Sequence, residues 1–116
     1  MRGVAKLVCV VGPAACAGQV NEAAGKSGLV GPTRSVAREL AGGNITCNVV
    51  APGPITTAMT DALGDARLAA ITEAVPLGRM GTVDEVAATV EFLCGQSAAS
   101  ITGAVIPVDG GLGLGN

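Results

Sequence analysis

Asn44-Ile45-Thr46-Cys47-Asn48-Val49-Val50-Ala51, followed by Pro52-Gly53-Pro54, is the stretch whose reading decides the fold of this chain. Eight residues rich in β-branched and apolar side chains, closed by a turn that proline and glycine enforce, read as a buried strand. Upstream, Lys6-Leu7-Val8-Cys9-Val10-Val11 is a continuous run ended by Gly12-Pro13, the pattern of a strand covered on both faces of a parallel sheet. Downstream, Ala104-Val105-Ile106-Pro107-Val108-Asp109 reads as a third strand, closed by Gly110-Gly111.

Helical patterns fill the intervals. Gly12 to Gly18 is a small-residue loop, and from Asn21 to Ala41 the residues Ala24, Leu29, Val36 and Leu40 recur at helical spacing, with Arg34, Arg38 and Glu39 on the other side. Gly42-Gly43 stops that helix. Pro32 lies inside it and removes a backbone hydrogen bond at a cost of ~3 kcal/mol or more, which predicts a kink or break near Gly31. Two short helical stretches are expected around Thr60–Leu63 and Asp65–Val75. Thr82-Val83-Asp84-Glu85 forms a capping box, in which hydroxyl and carboxylate satisfy each other's free N–H groups, and a helix to about Cys94 should bury Val83, Val86, Val90 and Leu93. The order β-α-β-α-β implies an α/β domain with a parallel sheet and right-handed crossovers. No repeat or flexible linker interrupts it.

Composition narrows the chemistry. The 116 residues include no His, Trp or Tyr and a single Phe, so there is no imidazole base, no phenol proton donor and no ordinary His-bearing zinc site. With 49% hydrophobic and only 14% charged residues, much of the surface expects to be covered, in an oligomer or in something larger. A net charge of −2 without a Lys/Arg cluster argues against nucleic acid. Cys9, Cys16, Cys47 and Cys94 lack CxxC spacing and read as small hydrophobes of a reducing compartment, the cytoplasm. The basic Met1–Lys6 and apolar Leu7–Ala17 imitate a signal peptide, but Gly12-Pro13 interrupts the run, and no membrane span of eighteen apolar residues exists. Asn44-Ile45-Thr46 matches a glycosylation sequon, which carries no meaning in the cytoplasm.

Three stretches together resemble the short-chain dehydrogenase/reductases: Asn21-Glu22-Ala23-Ala24-Gly25-Lys26-Ser27-Gly28, Asn48 through Thr57, and Ile101-Thr102-Gly103 running to Val108-Asp109-Gly110-Gly111. Within that family the chain is most similar to the 3-oxoacyl-acyl carrier protein reductases, whose pattern Pro76-Leu77-Gly78-Arg79 and Gly81 also fit. The resemblance runs from about Gly3 to Asn116 and implies the C-terminal half of a doubly wound Rossmann-type sheet, a single partial domain. The glycine-rich dinucleotide fingerprint, the residue selecting NAD or NADP and the family's catalytic Asn fall outside it. The tail Gly111-Leu112-Gly113-Leu114-Gly115 is no substitute, because no helix N-terminus follows to hold a pyrophosphate.

The resemblance implies carbonyl reduction by NAD(P)H, with an acyl thioester or other carbonyl compound as substrate. In the family a Tyr gives the proton, a Lys one helical turn on lowers the phenol pKa and holds the cofactor ribose, and a Ser orients the carbonyl. Lys26 falls on the Lys position, Glu22 stands at the Tyr position, and Cys9 stands at the Ser position by spacing back from Gly12. Read as residues alone, Glu22 and Lys26 are an i, i+4 helical pair and Cys9 a packed thiol. After the Pro-Gly turn, Pro52, Gly53, Ile55 and Thr57 fall where the family contacts the nicotinamide carboxamide and phosphates. Their alternative is an ordinary strand-end turn. Two expectations stand side by side: an oxidoreductase chain whose cofactor binding is weak or absent as it stands, and a non-catalytic interaction subunit. The second would form a homo-oligomer, or join another chain of the family, through its last helix and strand.

Overall fold

A computed structural model describes residues 5–11 and 19–114, with side chains described for these except 19–27 and 59. Three strands, β1 (Ala5–Val10), β2 (Ile45–Pro52) and β3 (Val105–Val108), form one parallel sheet in the order β1-β2-β3. The register runs from Ala5 opposite Ile45 to Val10 opposite Val50, and from Val49 opposite Val105 to Pro52 opposite Val108. The α/β architecture expected from the sequence is the one observed, with β2 at the centre.

From Thr46 to Pro52 every residue of β2 is buried. Successive side chains alternate between faces, so such a strand is covered on both. One cover is α4 (Val83–Cys94), whose Val86, Val90 and fully buried Leu93 pack with Val50, Val8, Ile106 and Val108. The other is α1 (Gln19–Ala41), which lies along β2 and buries Thr33 and Ala37 on the side of Cys47, Val49 and Ala51. Because the strands step in one direction, crossovers on opposite faces have opposite hands. Right-handedness for both is therefore not met: one of the two departs from the usual rule.

Polar groups fasten β2 to the segment before β3. Asn48 is 1% exposed, its Nδ2 donating to Ile101 O and its Oδ1 accepting from Ala104 N, each at 3.0 Å. Thr102 Oγ1 accepts from Cys47 N at 3.0 Å, and Gly103 N donates to Cys47 O at 2.7 Å. Gly103 holds φ +77 here, with Ala37 of α1 beside it.

Three further expectations, on Pro32, Val83 and β1, need correction, while the stop at Gly42-Gly43 is met. Helix α1 runs unbroken through Pro32. Pro32 and Gly28 are both exposed, so the carbonyl deprived of its partner meets water, and Thr33 Oγ1 braces the same turn by donating to Leu29 O at 2.5 Å. The helix ends at Ala41 ahead of Gly42-Gly43, but the left-handed residue is Asn44, at φ 59. Val83 is 62% exposed rather than buried: it shares the stripe of Val86 and Val90, but at the first turn of α4 it borders open space rather than the sheet. β1 is not covered on both faces: Leu7 and Val10 are exposed because no described strand lies beyond it. The short helices fall at α2 (Ala58–Asp61) and α3 (Asp65–Ala74), and the loop read at Gly12 to Gly18, with Cys16, lies outside the described residues.

Candidate functional site

The carboxyl ends of β2 and β3 meet in a knot of tight turns. Gly53 N donates to Val108 O at 3.0 Å, and a Cβ on Gly53 would stand 2.6 Å from that of Asp109, so only glycine admits this approach. Asp109 is buried and accepts from Gly111 N at 2.9 Å and Gly113 N at 3.1 Å, which shapes the turn after β3. At Gly110, φ +64 and a hypothetical Cβ 2.5 Å from Val75 Cγ1 make the same demand, and its carbonyl accepts from Leu77 N at 3.0 Å.

The loop leaving Gly53 is held on its other side as well. Gly81 N donates to Pro54 O and Thr56 N donates to Gly81 O, both at 2.9 Å, a parallel bridge centred on Ile55 and Gly81. Thr57 then caps α2: its hydroxyl accepts from Thr60 N at 3.3 Å, while its own N–H donates to Thr60 Oγ1 at 2.7 Å. Pro52 and Gly53 are buried, Ile55 is half-buried, and Thr56 and Thr57 reach solvent. This ledge is locked into a defined shape at both ends.

Gly81 is positioned in turn by the start of α4. Thr82 Oγ1 accepts from Glu85 N at 3.2 Å and Glu85 Oε1 accepts from Thr82 N at 3.0 Å, the capping box expected there. The same carboxylate takes both arms of Arg79, at 2.8 Å each, while Arg79 Nη1 also donates to Met80 O at 3.1 Å. The Arg79 hydrogen bond first, then that from Thr82 N–H, holds the Glu85 carboxyl down at about 2, and Arg79 is raised reciprocally.

Between the ledge, the end of β1 and α4 lies an open groove of about 630 Å³, walled by Val10, Pro52, Ile55, Val83, Val86 and Val90. Glu91 is the one charged residue on its lining among the described residues. An apolar wall ending in exposed hydroxyls suits a flat, weakly polar ring such as nicotinamide. Its described residues offer nothing cationic to a diphosphate. The sequence-read residues Pro52, Gly53, Ile55 and Thr57 are thus brought together on one ledge.

Cys9 is not brought to that groove. It lies on β1 opposite Val49, and its odd-numbered position turns it to the face away from Val8 and Val10. There it neighbours Cys47, whose thiol is pushed up by burial first and by Cys9 second. Glu22 and Lys26 lie one turn apart in α1, as their spacing requires, and their side chains fall outside the described residues. Sequence reading missed Asp109 as an organiser of the ledge and Arg79 as a partner of Glu85. An Asp directly before Gly-Gly after a strand was the available signal for the first. For the second, a six-residue separation across a turn gives none. Among the described residues no cluster of His, Cys, Asp and Glu could hold a metal, and no helix is long and apolar enough to cross a membrane.

Residues 7–113 match the family described as Enoyl-(Acyl carrier protein) reductase. A 3-oxoacyl-[acyl-carrier-protein] reductase of Mycobacterium tuberculosis is 51% identical over 98 residues, covering 84% of this chain and 40% of the relative. One from Pseudomonas aeruginosa is 50% identical over 103 residues, 89% of this chain and 42% of the relative. A solved structure, a variant of a Serratia marcescens short-chain dehydrogenase/reductase, superposes with a TM-score of 0.76 at 33% identity, covering 93% of this chain and 45% of that one. The chain spans less than half the length of these relatives.

Proposed function

The chain belongs to the short-chain dehydrogenase/reductase family, and from that premise we propose that it carries one wall of an NAD(P)H site of the 3-oxoacyl-acyl carrier protein reductase kind. The observation that carries this reading is the ledge Pro52–Thr57, clamped by Asp109 on one side and Gly81 on the other and bordering an apolar groove. When bound, NAD(P)H supplies the hydride. Pro52, Gly53 and Ile55 would present a dry surface to the nicotinamide with Thr57 at its polar edge, and Lys26 would hold the ribose, as the family pattern implies. The substrate class is a 3-oxoacyl thioester or a similar carbonyl compound, and the setting is the cytoplasm.

Proton delivery is the weak half of this chemistry. Glu22 occupies the donor position, and a carboxyl with an ordinary pKa near ~4.3 is ionised at neutral pH. Cys9, with a weakly donating thiol turned away from the groove, does not replace the serine. These two positions favour a second reading, in which the chain serves as a non-catalytic subunit that associates through α4 and β3 with its own copy or another family member.

Following the reduced-nicotinamide absorbance with an acetoacetyl thioester separates the two. The chain by itself is expected to show no turnover, and Glu22→Tyr combined with Cys9→Ser is expected not to restore it, because neither adds binding energy for the pyrophosphate. Steady NADPH consumption that disappears in Lys26→Ala would establish the catalytic reading and end the second.

A further inference from the structure

Ile55 walls the groove from beyond the end of β2, where an isolated bridge rather than a strand supports it. One residue, Gly81, holds the backbone on both sides of it: Gly81 N donates to Pro54 O, and Gly81 O accepts from Thr56 N. The Ile55 side chain rests on the same glycine, since a Cβ there would stand 3.0 Å from Ile55 Cδ1. Thr60 Oγ1 adds one bond from the side of α2, donating to Ile55 O at 3.1 Å. The depth of this wall is therefore set chiefly by the place of Gly81.

Gly81 in turn sits inside a closed circuit of hydrogen bonds. Arg79 Nη1 donates to Met80 O, both arms of Arg79 donate to the Glu85 carboxylate, and Glu85 Oε1 accepts from Thr82 N and Thr82 Oγ1. The residues before and after Gly81 are thus gripped by one ion pair, and Glu85 Oε1 would lie 3.8 Å from a Cβ on the glycine between them. Capping α4 needs only the exchange between Thr82 and Glu85. The guanidinium fork and its bond to Met80 O go beyond that need, and a pair with side chains 56% and 39% exposed adds little to stability. Neither Arg79 nor Glu85 is part of the groove wall.

We propose that Arg79 and Glu85 are positioning residues for the nicotinamide ledge: by fixing Gly81 they set Ile55 at the depth at which the groove receives the nicotinamide. The proposal rests on the NAD(P)H reading of that groove. A bidentate fork defines direction as well as distance, which a lysine in its place does not. A misplacement of about 1 Å can cost about 100-fold at a reacting centre, so a pair with little bearing on stability has leverage on the site.

Amide hydrogen exchange followed by NMR reads the clamp without any ligand. In Arg79→Met, exchange at Thr56 N–H and Gly81 N–H is expected to rise about tenfold or more, while Gly53 N–H, bonded to Val108 O at the other end of the ledge, stays within about twofold. Arg79→Met keeps the Thr82–Glu85 cap, so a role confined to capping predicts no change at either amide. Glu85→Gln, which keeps an acceptor for Thr82 N–H without the charge that draws the fork, should loosen the same two amides. Asp84→Asn, in the first turn of α4 but outside the circuit, should loosen neither. Saturation transfer from the protein to reduced nicotinamide mononucleotide then reads the site: the nicotinamide signal is expected to fall about fivefold in Arg79→Met and to recover in part in Arg79→Lys. Unchanged exchange at Thr56 and Gly81 in both Arg79→Met and Glu85→Gln would overturn the proposal, as would faster exchange with an unaltered nicotinamide signal. If the unsubstituted chain transfers no magnetisation to the nicotinamide, the NAD(P)H reading fails, and the exchange comparison still decides whether the pair fixes the ledge.

Discussion

β1 and β2 lie side by side in one register and are comparably apolar in sequence, yet β2 is buried from Thr46 to Pro52 while β1 exposes Leu7, Cys9 and Val10. The difference is in their neighbours. β2 has a strand on either hand, α1 on one face, α4 on the other, and an asparagine that stitches it to the loop before β3. Among the described residues β1 has one strand partner. An apolar run therefore reports what a strand is suited to, and burial is decided by what the rest of the fold brings up against it.

That contrast can be broken most forcefully at its buried end. Leu93→Ala empties a site with no solvent exposure beneath Val50, and chemical denaturation should register a loss of about 2–5 kcal/mol. The matched truncation Leu7→Ala on β1 should cost less than about 1 kcal/mol, and equal losses at the two positions would erase the distinction between the strands. Asn48→Ala comes next. It strands Ile101 O and Ala104 N, and about 1–3 kcal/mol should go, with Ala104 N–H exchanging faster with solvent.

The smallest effect is electrostatic and lies at the exposed start of α4. Glu85 titrates near 2 against an ordinary 4.5, a folded value lowered relative to the unfolded one. Its contribution is therefore complete above about 4.5 and disappears as pH falls through about 2. Carbon-detected NMR titration should show that midpoint. In Arg79→Met it should move toward the ordinary value without reaching it, because Thr82 N–H still donates to the carboxylate. A midpoint unchanged by the substitution would show that the guanidinium does not cause the shift.

Much of this was legible in the residues. The three strands, the β-α-β-α-β order and the Thr82–Glu85 capping box were readable because each is local: a run of apolar residues, a turn-forming pair, a spacing of three. The family resemblance had the same character, since it rested on short ordered motifs, and so did the grouping of Pro52, Gly53, Ile55 and Thr57. What escaped was non-local or depended on solvent. Continuity of α1 through Pro32 depends on water reaching the Gly28 carbonyl, and the exposure of Val83 depends on how far the sheet extends beneath the first turn of α4. The opposite hands of the two crossovers follow from which face each helix covers, and no single segment encodes that. Asp109 organises the ledge through contacts with the turn after β2 as well as its own turn after β3, so its role emerges only when the two are assembled.

Asn48 also sets an order of events during synthesis. Its partners Ile101 and Ala104 lie 53 and 56 residues further along the chain. At roughly 5–20 residues per second, the ribosome needs on the order of 3–10 s to reach them after Asn48 is made. Throughout that interval the amide lacks both of its partners, even though α4 is complete before Ile101 is reached. β2 is thus an interior strand whose β3 side stays unclosed until the segment from Ile101 onward is made.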